Sequence, residues 1–275
     1  VDALASRLSQ LSIAATTSME KLKSRSQDYY WYSPVLRSAL KGQIAQIACM
    51  PKTEEEVVAV MRECFKLGIP VTPRGAGTGN YGQAVPLQGG AILDLRELTG
   101  YEMVREGVVE AQAGQLMGVM ETGLREANNY ELRFFPSTVA QATIGGFIGG
   151  GSCGVGSINY GVLRDPGNVS ALRVVTMEEE PRILKLTGDD CLAAVHAYGT
   201  NGIITAVEMP LAPAQKWVEV AATFPSLAAA GAAALAISES PAVSKRNICT
   251  LGAPIPSLPG FEGLVRQIAS AGGDS

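Results

Sequence analysis

Two glycine-rich tracts hold the residues whose type and spacing could do chemistry. The first runs from Arg74 to Gly82, and the second begins near Gly145, about seventy residues later. Glycine has no Cβ, so the peptide N–H groups of such tracts can converge on an anion and approach a ligand closely. Together the tracts predict two loops that line both sides of an extended, doubly phosphorylated cofactor. Tight turns are the alternative use of glycine for either tract alone.

The first tract also satisfies the pattern G-x-G-x-x-G through Gly77, Gly79 and Gly82. In a dinucleotide-binding fold this pattern opens a helix whose N-terminus faces the pyrophosphate. Here Pro86 follows shortly after and would break that helix in its first turns. The sequence therefore disfavours a nicotinamide-dependent dehydrogenase.

The second tract contains a literal G-x-S-x-G around Ser152, and Asp165 and His196 follow in the order of an α/β-hydrolase triad. A nucleophile elbow needs a buried strand before the serine and a helix after it. Ser152 is instead surrounded by glycines, and His196 is expected in a helix as a core or surface residue. His196 is the only histidine, so a multi-histidine metal site is excluded and we predict no metal.

Composition limits the remaining function classes. The 275 residues are 47% hydrophobic and 17% charged, which predicts one large folded domain or two modest ones. The formal net charge of −4 argues against nucleic-acid binding. The apolar run Leu227 to Ile237 is shorter than the roughly 20 residues that a membrane-spanning helix needs. Five scattered cysteines are typical of reduced thiols, so we expect a soluble, cytoplasmic protein.

One helix has clear start and stop signals. Thr53 followed by Glu56 forms a capping box, and Gly68 fits the position just after the helix C-terminus. Residues 1–44 are expected to be an N-terminal helical segment without a motif, in which the aromatic patch 29–32 packs.

The other expected elements alternate strand and helix. They are strands at 69–73, 91–95, 108–113 and 203–209, a hairpin of 169–176 with 182–186, and helices at 115–127 and 189–198. After Pro213 the composition changes, and we expect a strand over Trp217–Phe224 and an alanine-rich helix capped by Ser226. The predicted boundaries are therefore 1–44, 45–213 and 214–275.

Four stretches carry a resemblance to a known family. They are PRGAGTGNYG at 73–82, FPSTVAQATIGG at 135–146, GGGSCGVGSINYG at 149–161 and GTNGIITAVEM at 199–209. In order and spacing, residues 45–213 resemble the FAD-binding domain of the vanillyl-alcohol oxidase or p-cresol methylhydroxylase type. Glycolate oxidase and D-lactate or D-2-hydroxyglutarate dehydrogenase-like proteins are the most similar group. The resemblance implies an α+β domain of two subdomains, followed by the start of a cap (substrate) domain.

The resemblance also implies the residues that bind the cofactor. Those of the first tract would wrap the FAD diphosphate: Pro73, Arg74, Gly75, Ala76, Gly77, Thr78 and Gly79. Those of the second would run along the flavin and the rest of the diphosphate: Pro136, Ser137, Thr138, Thr143, Gly145, Gly146, Gly149, Ser152 and Gly154. Gly202 and Ile203 match the contact with the adenosine end.

Three positions depart from the family pattern or define its variant. Phe147 stands where relatives often have Asn, and Arg164–Asn168 is slightly longer than the usual link. Thr78 replaces the histidine that tethers the flavin in some members, which predicts non-covalent FAD, with Cys153 as the only substitute ligand.

The resemblance implies an FAD-dependent enzyme that oxidises a 2-hydroxy acid by hydride transfer to flavin N5. The electron acceptor and the general base stay unassigned, and Asp165 and Tyr160 are expected to be structural. The alternative is a non-catalytic flavin-binding subunit, or a truncated fragment, that needs a partner chain. The cap is barely started in this sequence, so we also expect a homo-oligomer or a partner subunit there.

Overall fold

The computed structural model describes residues 1–29, 33–258 and 263. The chain divides into two compact units. One comprises Val1–Gly154 with Val162–Ala214, and the other comprises Val155–Gly161 with Gln215–Ser275. Residues 155–161, which the sequence analysis places with 45–213, are thus grouped with the second unit.

The first unit contains two sheets, and the smaller one positions the first glycine tract. Its strands are β1 (Ala14–Thr16), β2 (Ile47–Met50), β3 (Val71–Arg74) and β4 (Ala91–Asp94), in the order β1-β2-β4-β3. Strands β2, β3 and β4 are parallel to one another, and Arg74 pairs with Asp94 at their carboxyl ends. Ligands of parallel sheets bind beyond these strand ends, and the first tract begins there.

The larger sheet is antiparallel, and its strand β10 contains most of the last stretch of the resemblance, 199–209. Its strands are β5 (Tyr101–Arg105), β6 (Val108–Gln112), β7 (Tyr130–Leu132), β8 (Ala171–Val175), β9 (Ile183–Thr187) and β10 (Ile203–Pro213). The order is β5-β6-β10-β8-β9, and β7 pairs with the end of β10. The two sheets with their helices confirm the predicted α+β fold of two subdomains.

The helices are divided between the two units. Those of the first unit are α1 (Asp2–Gln10), α2 (Met19–Arg25), α3 (Pro34–Ala39), α4 (Glu54–Lys66), α5 (Met117–Asn128) and α6 (Ile144–Gly150). The second unit has α7 (Ser157–Tyr160) and α8 (Leu227–Glu239). Short 3₁₀ helices lie at Leu95–Glu97, Gly188–Ala193 and Ile255–Ser257.

Helix α4 has the predicted ends. The Thr53 side-chain oxygen accepts a hydrogen bond from the Glu56 N–H at 3.2 Å, and Gly68 has a φ of +62° just beyond the last turn. The Glu56 carboxylate accepts from the Lys52 N–H at 2.7 Å rather than from Thr53. The apolar face of α4 buries Val57, Val60, Met61 and Cys64. Local capping and helical spacing therefore agree with tertiary packing here.

The helix expected over 189–198 is wrong. Only the short 3₁₀ helix Gly188–Ala193 forms, and His196 and Tyr198 have left-handed backbone angles, with φ of +60° and +52°. Their amides bond outside the segment: His196 N donates to Ile148 O and Tyr198 N donates to Gly149 O, both at 3.0 Å. Contacts with the end of α6 therefore override the helical pattern.

Two further expectations need correction. The segment Trp217–Phe224 is not a strand: Val218 is 76% and Val220 86% exposed, and no pairing strand is recorded within the described residues. The N-terminal segment is not wholly helical, because β1 lies within it and pairs with β2. By contrast, Ser226 caps α8 as predicted, accepting from the Ala229 N–H at 3.1 Å.

All five cysteines are free thiols, and three of them are buried: Cys49, Cys64 and Cys191. Burial raises the pKa of Cys49 and of Cys64 to about 12, so both stay protonated at neutral pH. They act as small apolar core residues.

Among the described residues, no three His, Cys, Asp or Glu side chains form a group that could hold a metal ion. No described helix is long and apolar enough to cross a membrane.

Candidate functional site

A cavity of about 690 Å³ lies within the first unit, between the two glycine tracts. This is within the range of about 300–1,000 Å³ that is usual for small-molecule and cofactor sites. Most of the residues predicted to bind the cofactor line it: Pro73, Arg74, Gly75, Ala76, Gly77, Thr78, Gly79, Pro136, Ser137, Thr138, Thr143, Gly145, Gly146, Gly149, Ser152 and Ile203. The fold therefore brings both tracts and the start of β10 to one site.

Gly154 and Gly202, which were also predicted to bind the cofactor, are not among the lining residues. Each instead packs closely against a neighbouring segment of the chain. Gly154 has a φ of +70°, and a Cβ there would lie 2.9 Å from the carbonyl carbon of Phe135. Gly202 has a φ of +128°, and its Cβ would lie 2.6 Å from Val174 Cγ1. Both positions need glycine for backbone conformation and close packing.

The second tract is not simply a loop, because Ile144–Gly150 forms α6. The Thr143 side-chain oxygen accepts from the Gly146 N–H at 3.4 Å and caps this helix. A Cβ at Gly75 would overlap that same Thr143 oxygen, and a Cβ at Gly145 would lie 2.5 Å from Ala113 Cβ. Glycine thus lets the first tract touch the start of α6, and lets α6 touch the segment that follows β6.

Arg74 begins the first tract and is held by backbone carbonyls. Its Nη1 donates to Arg25 O and Gln27 O, and its Nη2 donates to Ala76 O at 3.2 Å. Its Nε is buried and has no hydrogen-bond partner among the described residues. Burial lowers the pKa of Arg74 from its ordinary value, and the neighbouring Arg96 and Arg25 lower it further, against Asp94 and Asp28.

Asp94 joins two more arginines beside Arg74. It is 2% exposed and accepts from Arg25 Nε at 2.9 Å and from Arg96 Nη2 at 2.6 Å. Burial acts to raise the pKa of Asp94, but the hydrogen bonds and charge of Arg96, with Arg25, bring it below its ordinary value. Asp94 is therefore ionised and pairs with Arg25 and Arg96, and of the three arginines it is Arg74 that lines the cavity. The Arg74 guanidinium gives the lining a fixed positive charge that attracts an anion.

Tyr198 also lines the cavity, although no sequence pattern indicated a binding role for it. Its hydroxyl lies 2.8 Å from His196 Nε2, so the two side chains form a hydrogen-bonded pair. A Cβ at Gly151 would lie 2.6 Å from His196 Cδ2, and a Cβ at Gly199 would overlap Pro73. Glycines therefore fix the Tyr198 segment between α6 and the first tract. Glycine, the residue type most typical of positive φ, is absent at both positions, so the sequence gives only a weak signal for this conformation.

Asp28 and Tyr29 also line the cavity, outside every stretch that carried the resemblance. Tyr29 is 66% exposed, which contradicts the expectation that it packs. The rest of the aromatic patch, residues 30–32, lies outside the described residues.

The hydrolase and nicotinamide alternatives find no support in the geometry. His196 pairs with Tyr198, and Asp165 Oδ2 accepts from the Val162 N–H of its own turn at 2.8 Å. Ser152 follows α6 rather than a strand, and turns rather than a helix follow Gly82. Phe147, the departure from the family pattern, is 4% exposed and lines the cavity with its residual surface.

These features fit an extended cofactor with a diphosphate. The peptide groups of two tracts line the cavity, and a Cβ at Gly75 of the first tract would overlap Thr143 of the second. Arg74 adds a fixed positive charge to the lining, and its buried Nε has no hydrogen-bond partner among the described residues. A diphosphate supplies the acceptor oxygens and the charge that such a site lacks.

A family described as FAD binding domain matches residues 45–184 of the chain. This is slightly more than half of the chain. Among curated proteins, D-lactate dehydrogenase of Anaerostipes hadrus is 34% identical over 177 residues, which is 60% of this chain and 36% of the relative. The glycolate oxidase subunit GlcD of Escherichia coli K12 is 30% identical over 197 residues, 68% of this chain and 39% of the relative.

The rat mitochondrial D-2-hydroxyglutarate dehydrogenase is 29% identical over 189 residues, covering 64% of this chain and 34% of the relative. The chain therefore spans between a third and two fifths of the length of these relatives. Among solved structures, alkyldihydroxyacetonephosphate synthase superposes with a TM-score of 0.66 at 18% identity, covering 78% of this chain and 41% of that chain. BBE-like 1 of Physcomitrella patens superposes with a TM-score of 0.62 at 16% identity, covering 76% and 44%. These two superpositions support the fold alone.

Proposed function

The chain belongs to the FAD-binding domain family, and on that premise we propose that it is the flavin-binding part of an oxidoreductase acting on 2-hydroxy acids. FAD is the cofactor of the family, and the relatives are FAD-linked oxidases and dehydrogenases. Lactate, glycolate and 2-hydroxyglutarate appear in the names of three relatives. The proposed substrate class is what these names share, a carboxylic acid with a hydroxyl on the adjacent carbon.

The observation that carries this proposal is the cavity lined by both glycine tracts. The backbone of Arg74–Gly79 would hold the diphosphate, with the Arg74 guanidinium as a fixed positive charge beside it. Pro136–Thr138 and α6 would lie along the flavin, and Ile203 would contact the adenosine end. These assignments are those of the resemblance, and the common cavity supports them.

When bound, the flavin supplies the redox chemistry by accepting at N5 the hydride that leaves the substrate carbon. The chain's own part is to bind and orient the cofactor and to exclude water from one side. The buried residues Phe147, Ile203 and Ile204 make that side apolar. We assign no general base, because Asp165 is engaged within its own turn.

We expect FAD to bind about tenfold or more tighter than FMN. The cavity of about 690 Å³ is lined by both glycine tracts and by Ile203, the residue assigned to the adenosine end, so FAD would make contacts that FMN cannot make. Titration of the purified chain with FAD and with FMN, followed by flavin fluorescence and the visible spectrum, measures this. Equal affinity for the two flavins would contradict the assignment, and no binding of either would overturn the proposed function.

We expect the flavin to be held without a covalent bond. Thr78 lines the cavity where a tethering histidine would stand, and its hydroxyl cannot form that bond. The only histidine, His196, is hydrogen-bonded to Tyr198, and Cys153 is not a lining residue. Precipitation of the loaded protein with trichloroacetic acid should leave the yellow colour in the supernatant. Colour in the pellet that disappears in Cys153→Ser would instead identify a thioether.

A second candidate is a flavin-binding subunit that needs further polypeptide to act on its substrate. Two observations favour it. The relative GlcD is itself named as a subunit, and helix α8 buries none of its residues. The partner would be a second copy or another chain, contacting residues 214–275, the proposed beginning of the cap domain. We propose a cytoplasmic location, a compartment in which free thiols such as these five are usual.

A further inference from the structure

Residues Arg25–Tyr29, which we call the N-terminal strap, lie against the first glycine tract. They are outside the matched range 45–184 and outside every stretch of the resemblance. At the start of the tract, Arg74 Nη1 donates to Arg25 O at 3.1 Å and to Gln27 O at 2.5 Å. The strap therefore holds the side chain with which the tract begins.

The strap also holds the far end of the tract. The Tyr29 N–H donates to Gly79 O at 3.0 Å, and the Gly82 N–H donates to Asp28 Oδ2 at 2.8 Å. A Cβ at Gly79 would lie 3.5 Å from the same Asp28 oxygen. Five residues of strap thus bridge both ends of a nine-residue tract, Arg74–Gly82.

The strap is itself anchored to the small sheet. Arg25 Nε donates to Asp94 Oδ2 at 2.9 Å, at the carboxyl end of β4. Ser26 is 1% exposed, and its hydroxyl oxygen accepts from the Ala45 N–H at 3.0 Å. The bridge over the tract is therefore connected to the strands and does not move freely with the tract.

We propose that the strap positions the first glycine tract for the cofactor's diphosphate, with Asp28 as the positioning residue at its far end. This inference rests on the proposed function. A glycine-rich loop loses much conformational entropy when it orders around a ligand. Bonds that order the loop before binding remove part of that cost and so increase affinity. The Asp28 carboxylate makes a charge-assisted bond to Gly82, which is stronger than a neutral one.

The test compares Asp28→Ala, Asp28→Asn and the matched control Glu20→Ala in the full chain. Glu20 is an exposed acid on α2, just before the strap. We expect Asp28→Ala to weaken FAD binding about 10- to 100-fold, the value of a lost bond to a charged group. Asp28→Asn keeps an acceptor oxygen but makes only a neutral bond, so its affinity should lie between those of Asp28→Ala and the parent, and Glu20→Ala should bind as the parent does.

A positioning role also predicts that the thermal midpoint without FAD changes little in Asp28→Ala, by less than about 3 °C. Unchanged FAD affinity in Asp28→Ala would overturn the inference. So would a large fall of the midpoint without FAD in both Asp28 variants, which would indicate a general structural role.

Hydrogen exchange on the unmodified protein tests the same inference without a variant. On adding FAD, the amides of residues 25–29 and of 74–82 should become protected together. Protection of 74–82 alone would overturn the role of the strap while leaving the proposed function intact. If the unmodified chain binds no FAD, the proposed function fails first and the inference fails with it.

Discussion

Gly77→Ala should weaken FAD binding by about 100-fold or more. Gly77 has a φ of +71°, and a Cβ there would lie 2.5 Å from Arg74 Cζ. The guanidinium would have to leave the carbonyls of Arg25, Gln27 and Ala76, to which it now donates. Each such bond to a charged group is worth about 1.5–3 kcal/mol, so losing two of them accounts for this change in affinity. Titration with FAD, followed by flavin fluorescence, measures it.

The matched control is Gly167→Ala. Gly167 has a φ of +83°, so alanine suffers the same left-handed strain, but a Cβ there would have nothing within 4 Å, and the residue does not line the cavity. Gly167→Ala should lose about 1–2 kcal/mol of the free energy of unfolding from strain alone, and Gly77→Ala should lose more, because it also breaks Arg74 hydrogen bonds. Equal FAD affinity of the two variants would show that strain, rather than the Arg74 contact, determines the role of Gly77.

In the second tract, Gly145 allows close packing of α6 rather than close approach of a ligand. At Gly145 a Cβ meets Ala113 Cβ at 2.5 Å and the Ala113 carbonyl oxygen at 2.9 Å, rather than open cavity. A larger residue would therefore push α6 away from the end of β6. The substitution would therefore alter the cofactor site by moving its wall, and the new side chain would not itself occupy the cavity.

The sequence predicts well those parts of the fold whose signals are local. Thr53 and Glu56 begin α4, Gly68 follows its end, and Ser226 caps α8, because each of these contacts joins residues three or four apart. The glycine tracts likewise identify most of the cavity lining, because each tract is a run of neighbouring residues that is visible in the sequence.

Three parts of the structure depend on distant contacts and could not be predicted in this way. His196 and Tyr198 adopt left-handed angles because their amides bond to the end of α6. The strand expected over Trp217–Phe224 does not form, because no strand of the described chain pairs with this segment. The strap binds the first tract largely through its own carbonyl and N–H groups, which every residue type has.

The exposed apolar residues of the second unit predict self-association. Val218, Val220, Leu227 and Leu235 are between 58% and 86% exposed, and α8 buries none of its residues. Apolar surface of this kind in the described chain favours contact with another polypeptide. We expect light scattering to show oligomers at micromolar concentration, and Val218→Ser with Leu235→Ser to reduce them. A monodisperse parent chain would contradict this.

The same unit predicts that this 275-residue chain oxidises 2-hydroxy acids slowly, even when it is loaded with FAD. Orienting a carboxylate substrate needs fixed cationic groups, and misplacement of a substrate by about 1 Å can cost roughly a hundredfold in rate. Three basic residues are described after Ala214: Lys216 is exposed, Lys245 Nζ donates to Ser240 O, and Arg246 lies 5.7 Å from the Trp217 ring centroid. The chain's only histidine, His196, is bonded to Tyr198 in the other unit.

We therefore expect a turnover number below about 0.1 s⁻¹, against a median of roughly 10 s⁻¹ for enzymes. The assay uses D-lactate, glycolate or D-2-hydroxyglutarate with an artificial electron acceptor, and Gly77→Ala supplies the flavin-poor background. Slow turnover by a chain that binds FAD tightly supports the subunit alternative, because the flavin site would then be complete while the substrate site is not. Turnover near the median by a monomer would place the substrate-binding groups within the cavity of the first unit, where Tyr29, Tyr81 and Tyr198 are among the exposed side chains that could contact a hydroxy acid.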